Sequence, residues 1–376
     1  MASRNRTHMS KTLFDLLVAA ARQRDTDIDN PEKGRFIQRL SEADSQLMAQ
    51  ANTSVLSLSR SQRMVRVTWE NEIYFVTFGI SEPDPIPQSI EYAELTPGIF
   101  ASSVLAANIL PSQAVSGAFI KDAIEGEYFG LQGYQGHDLN SIAALFPTCK
   151  IYRVITPAPY TESNHRFLGT ILAKSSSEGP LNFHPKTLQD FADIFEAGPE
   201  FLPYENLLQG LLSFSWSNLY LECYRCLEQL YALPKVSALT KSWNSPLALR
   251  EVVALLEGHL SWRPKEDEAL AGIVRELSIP SVQLLCSAFQ QQHLTQEHVR
   301  SCETVASHVY KLRNSIVHFR PIHNTVSKSD SEWNDIVQAM LLALSDIYTK
   351  LGEEFFRVPE LPATANASVI APAPVA

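Results

Sequence analysis

The chain reads as an N-terminal α+β domain followed by an all-α helical bundle. Three observations carry this reading. Apolar residues recur at helical spacing in 13–23 and 35–50, the pattern switches to period two in RMVRVTWENEIYFVTFGI (63–80), and only helical periodicity follows GPEFLPY (198–204).

LFDLLVAAARQ (13–23) and RFIQRLSEADSQLMAQ (35–50) predict helices, the second starting at Asn30 and Pro31. In 63–80 the alternation predicts a hairpin with Glu70 and Asn71 at the turn. KIYRVITPAP and RFLGTILAK (166–174) read as further strands, separated by the turn-rich PAPYTESNH. FHPKTLQDFADIFEA (183–197) predicts a helix with Pro185 in its first turn. Because strands do not alternate regularly with helices, a doubly wound sheet is not expected. This domain is placed at 1–197.

GLQGYQGHD (130–138) is rich in glycine but lacks the spacing of a phosphate-binding loop, so it reads as a mobile surface loop. His137 and Asp138 form a candidate polar pair there, too few ligands for a metal site. His165 and His184 stand isolated.

The second domain, 198–357, is predicted all-helical. YENLLQGLLSFSWSNLYLECYRCLEQLYAL is apolar almost all round, which suits one helix or a pair buried in a bundle. PLALREVVALLEGHL, DEALAGIVRELS, VQLLCSAFQQQHL, the segment 296–318 and SEWNDIVQAMLLALSDIYTKLGEEFF continue the helical pattern. Short connections favour antiparallel packing. The Ala/Pro-rich tail, 358–376, has no periodic face and is expected to be disordered.

With 376 residues, 45% hydrophobic and 19% charged, the chain can bury two cores and does not have the composition of a disordered protein. No apolar run spans a membrane and the N-terminus lacks a signal-peptide pattern, so a cytoplasmic protein is expected. Its five cysteines are odd in number and scattered, which fits reduced core thiols. Cys223 and Cys226 form CYRC on one predicted helix face and lack the further ligands of a zinc site. A net charge of −10 argues against an extended basic surface that binds nucleic acid by bulk electrostatics. Locally the balance reverses: residues 296–328 hold Arg300, Lys311, Arg313, Arg320 and Lys328 against Glu297 and Glu303, with His298, His308, His318 and His323 among them.

Within this window, Val299, Cys302, Ala306, Val309 and Ile316 repeat at steps of three and four, and Arg313 occupies the position that continues the series. A buried guanidinium needs a partner, so either a carboxylate from another helix pairs it or it lines a cleft or subunit interface. Asn314 and His318 are four residues apart and face one way, with Arg313 about 100° round the helix. All three can converge on one cleft. A histidine near a helix C-terminus is also mildly favourable on electrostatic grounds alone.

RNSIVH, preceded by Tyr310 as YxxRNxxxH and placed on the penultimate long helix, resembles the signature of the HEPN superfamily. YLECYRCLEQLYAL is similar to the first helix of many such domains, and the resemblance covers roughly residues 200 to 357. It implies a helical-bundle, metal-independent endoribonuclease with Arg313, Asn314 and His318 as catalytic residues and no cofactor. The implied reaction is attack of a ribose 2′-hydroxyl on the adjacent phosphate, giving a 2′,3′-cyclic phosphate and a 5′-hydroxyl. A histidine titrating near neutrality suits the proton transfers, and an arginine suits the charge that develops on phosphate. Asn314 would orient the imidazole or the phosphate.

The resemblance also implies a homodimer, since family sites form where two bundles meet about a twofold axis and this chain has one motif. RNA is the expected substrate, with Tyr310, Arg320, His323 and Lys328 as candidate contacts. The first domain is expected to sense a trigger or engage an antitoxin or other partner protein, in a toxin or antiviral defence role. The competing reading is a non-catalytic HEPN-like module for dimerisation or RNA binding.

Overall fold

The computed structural model describes residues 6–28, 35–38, 41–126, 133–175, 179–243, 247–289, 298–318 and 327–356. The chain divides into two compact units, one of residues 1–179 and 191–197 and one of 180–190 and 198–376.

In the first unit, α1 (Arg6–Arg22) and α2 (Glu42–Gln50) precede β1 (Asn52–Ser57), β2 (Arg63–Trp69), β3 (Glu72–Phe78) and β4 (Ile90–Tyr92). Then come α3 (Pro97–Ala107), α4 (Gly117–Glu125), α5 (Leu139–Ala143), β5 (Cys149–Val154), α6 (Pro159–Glu162), α7 (Asn164–Lys174) and residues 191–197 of α8 (Pro185–Ala197). The strands form an antiparallel sheet in the order β1-β2-β3-β5-β4. Glu70 and Asn71 turn the β2–β3 hairpin, with Trp69 opposite Glu72 and Glu70 at a left-handed φ of 53°.

Strand alternation gives the sheet two buried faces. Val65, Val67, Val76, Phe78 and Ile151 join a core with Leu13, Leu17, Phe100 and Val104. On the other face Phe75 stacks on Phe167 of α7, ring centroids 3.6 Å apart. Gly169 lies under the Phe195 ring so closely that an added Cβ would sit 2.4 Å from it.

Three expectations need correction here. RFLGTILAK is the helix α7, not a strand: Ser163 caps it by accepting from the Arg166 N–H at 3.4 Å, and Phe167, Leu168 and Ile171 bury one helical face. The Arg166 side chain then donates to the carbonyls of Phe195 (2.9 Å) and Glu196 (3.1 Å), groups left open at the end of α8.

The helix expected over 35–50 begins only at Glu42, because Ser41 supplies the N-cap; its expected start at Asn30 and Pro31 lies outside the described residues. Arg35 to Gln38 run without helix, and Phe36 and Gln38 exchange backbone hydrogen bonds with His137.

The described part of the glycine-rich segment, 133–138, is anchored rather than a mobile surface loop. His137 is fully buried, with Nε2 donating to the Ile124 carbonyl at 3.0 Å and Nδ1 against the Tyr134 hydroxyl. Asp138 does not pair with it but caps α5, accepting from the Ser141 N–H at 2.8 Å.

The second unit holds α9 (Tyr204–Leu211), α10 (Trp216–Glu228), α11 (Leu233–Trp243), α12 (Leu249–Leu260), α13 (Glu266–Glu276), α14 (Ile279–Ala288), α15 (His298–Val317) and α16 (Asp330–Phe356). No strand occurs among its described residues. Residues 180–190 belong here, not with the first unit, because buried Asn334 of α16 binds them. Its Oδ1 accepts from the His184 N–H and the Thr187 hydroxyl, and its Nδ2 donates to the Asn182 carbonyl. Around α10, the Tyr220 hydroxyl donates to the Val309 carbonyl of α15 and the Tyr348 hydroxyl of α16 to the Cys226 carbonyl, both at 2.7 Å. Cys223 and Cys226 are buried free thiols in this packing, and burial raises the pKa of both, that of Cys223 to about 12. The tail 358–376 lies outside the described residues, and no described helix is long and apolar enough to cross a membrane.

Candidate functional site

The RNxxxH segment lies on the last turns of α15. Cys302, Val305, Ala306, Val309 and Leu312 form the buried stripe of this helix, and Ile316 is half-buried. The side chain of Val299 lies outside the described residues. The inward stripe thus passes through Leu312, and Arg313 flanks it with 18% of its side chain exposed.

Arg313 already has partners within the chain. Nη2 donates to Glu228 Oε1 of α10 at 3.3 Å, Nη1 donates to Asn314 Oδ1 at 3.0 Å, and Nη1 lies 3.5 Å from Glu266 Oε2 of α13. The guanidinium carbon is also 5.6 Å from the centre of the Tyr224 ring, a cation–π distance. Of the two explanations open for an arginine at this position, an intrachain carboxylate suffices. An isologous interface is therefore not needed to account for it.

The electrostatics follow from one cation facing two acids. Burial lowers the affinity of Arg313 for its proton, but Glu266 and Glu228 outweigh this and its pKa is raised. Burial holds the carboxyl of Glu228 above its ordinary range, with attraction to Arg313 opposing. Burial likewise pushes the Tyr224 phenol to about 12.

The other side of α15 is open. A cleft of about 710 Å³ between α11, α13 and α15 is lined by the cations Lys235, Arg275 and Lys311, the acids Asp267, Glu268 and Glu303, and Tyr310, Asn314 and Ala271 among others. Asn314 therefore touches both regions: its Oδ1 holds Arg313 and its side chain lines the cleft. His318 is exposed just past the end of α15, and its N–H donates to the Asn314 carbonyl at 2.9 Å, so the helical turn reaches it. Neither Arg313 nor His318 is among the cleft-lining residues. The expected convergence of all three on one cleft is met by Asn314 alone.

Of the candidate RNA contacts, Tyr310 lines the cleft. Lys328 lies just before α16 with Nζ 3.6 Å from Glu332, so its charge is already paired. Arg320 and His323 lie outside the described residues. Sequence reasoning did not identify Glu228 and Glu266, the partners of Arg313, nor Lys311 as a cleft residue. The expected position of Arg313 on an apolar stripe was the signal, and it left open a carboxylate partner or a cleft or subunit interface. Among the described residues no group of three or more metal-ligating side chains is gathered.

Comparison with protein-family models, curated proteins and solved structures gave no match.

Proposed function

We propose that this chain is a metal-independent endoribonuclease of the HEPN type, acting as a homodimer through its helical unit in a toxin or antiviral defence role. The first unit would engage the trigger, antitoxin or partner protein. The observation that carries this reading is the pairing of Asn314 with Arg313 beside an open cleft, with an exposed His318 one turn further on.

In the proposed reaction the His318 imidazole takes the proton of a ribose 2′-hydroxyl and the 2′-oxygen attacks phosphorus. The bond to the 5′-oxygen breaks, and that oxygen leaves as a 5′-hydroxyl with a proton from water, to which the imidazolium returns the proton it took. Asn314 would orient the phosphate or the imidazole, and positive charge from α15 would offset the charge growing on phosphate.

The experiment is cleavage of labelled tRNA and single-stranded RNA in EDTA, with product ends mapped for wild type and His318→Ala. Cyclic phosphate ends that disappear in the variant are expected. Ends of another kind, or equal cleavage by the variant, would refute the assignment.

A second reading, a HEPN-like dimerisation or RNA-binding module without catalysis, is favoured by one specific observation. The arginine that would stabilise the transition state already faces two carboxylates. Wild-type protein that binds RNA without cutting it would select this reading.

A further inference from the structure

We propose that Lys311 and Tyr310 form a nucleotide subsite in the cleft beside Asn314, Lys311 meeting an RNA phosphate and Tyr310 stacking a base, while Arg313 is a positioning residue. The inference rests on RNA being the ligand of this unit and departs from the motif in which residue meets the anion.

The charge balance differs between the two places: in the cleft three cations stand with three acids, Asp267, Glu268 and Glu303, whereas at Arg313 one cation faces two acids. Arg313 stands between Glu228 and Glu266, so an incoming phosphate would meet a region with two potential negative charges and one positive. One donor on each terminal nitrogen is committed as well, to Glu228 through Nη2 and to Asn314 through Nη1.

The cations of the cleft differ among themselves. Lys235 is paired with Glu268 at 3.2 Å and Arg275 with Glu303 at 2.7 Å. Lys311 is exposed and, among the described residues, has no carboxylate within ion-pair distance. It is the lining cation whose charge is available.

Position and size agree with a nucleotide. Lys311 and Asn314 are three apart and Tyr310 and Asn314 four apart, so they lie along one side of α15 and lead toward His318. Tyr310 is half-buried, with no ring contact among the described residues, and the small side chains of Ala271 and Ala306 leave room in the same cleft. At about 710 Å³ the cleft is within the roughly 300–1,000 Å³ of small-ligand sites. Base stacking on an aromatic ring needs no particular base, so the subsite would take single-stranded RNA with little sequence preference.

The test is binding of a fluorescent 2′-O-methyl oligoribonucleotide, which lacks the attacking hydroxyl, to the full chain by anisotropy at several salt concentrations. Lys311→Ala and Tyr310→Ala are each expected to weaken binding about tenfold. Lys311→Ala should also flatten the dependence of log affinity on log salt by about 0.7, the loss of one single-strand phosphate contact. Arg250→Ala, an exposed cation on α12 outside the cleft, controls for general charge and should bind as wild type. At equal folded fraction, Lys311→Ala should cost more affinity than Arg313→Gln. Wild-type binding that survives both cleft substitutions, or is hurt more by Arg313→Gln than by Lys311→Ala, would overturn the subsite while leaving RNA as the ligand. No binding by wild type would overturn both.

Discussion

The two sides of α15 carry similar residues and use them differently. Arg313 points its charge toward α10 and α13, where Glu228, Glu266 and the Tyr224 ring surround it. Two residues earlier, Lys311 makes no ion pair among the described residues and lines an open cleft with Tyr310 and Asn314, where Glu268 and Glu303 are taken up by Lys235 and Arg275 and Asp267 is the remaining acid. The difference lies in the facing helices, not in the motif. A basic residue within a recognisable pattern is thus no measure of charge available to a ligand, because neighbouring carboxylates can claim it first.

If this division holds, the largest effect on stability belongs to the committed side. Arg313→Gln would leave two acids facing each other in a partly buried place and is expected to cost about 2–3 kcal/mol. Denaturant unfolding should show a lower midpoint with an unchanged slope. A cost under about 0.5 kcal/mol, the range of ordinary surface changes, would remove the distinction between the two sides.

A smaller effect comes from Glu228, whose carboxyl is held above its ordinary value of 4.5 by burial. The folded state therefore binds this proton more tightly than the unfolded state. Stability from this group rises as pH falls through the raised folded pKa toward 4.5, and is lost as pH climbs back through that window. Glu228→Gln should flatten this dependence in the window just above pH 4.5 and change stability at pH 7 by less than about 1 kcal/mol. An unaltered pH slope would show that Glu228 is not the group responsible.

The smallest changes are expected on the open side. Lys311→Ala and His318→Ala, both at exposed positions, should alter stability by less than about 0.5 kcal/mol in the same unfolding assay. A larger loss would mean that one of these side chains has a structural partner.

Much of the fold was legible where local pattern and tertiary role agree. The β2–β3 hairpin followed from strict alternation around a two-residue turn, and the second unit followed from long helical periodicity. The α7 segment was misread because the run FLGTIL suits a buried strand as well as a buried helix. The deciding signal, Ser163 as N-cap, sat within what looked like a turn. Segment 133–138 could not be read at all, since His137 is held by Ile124 and Phe36, neither of which its own sequence neighbourhood announces.

The candidate site divides the same way. Periodicity placed Arg313 on an apolar stripe, where the structure puts Leu312 instead, and demanded a partner, but the identity of Glu228 and Glu266 depends on how three helices pack. The cleft beside Asn314 likewise arises from α11 and α13 and leaves no mark in the motif itself.

The most direct test of the account is one comparison made on a single variant, the rate of RNA cleavage and the free energy of unfolding of His318→Ala. If His318 is the general base, cleavage falls by about 10²- to 10⁴-fold, the usual contribution of such a group, with unfolding changed by less than about 0.5 kcal/mol. Cleavage at the wild-type rate by this variant would contradict it.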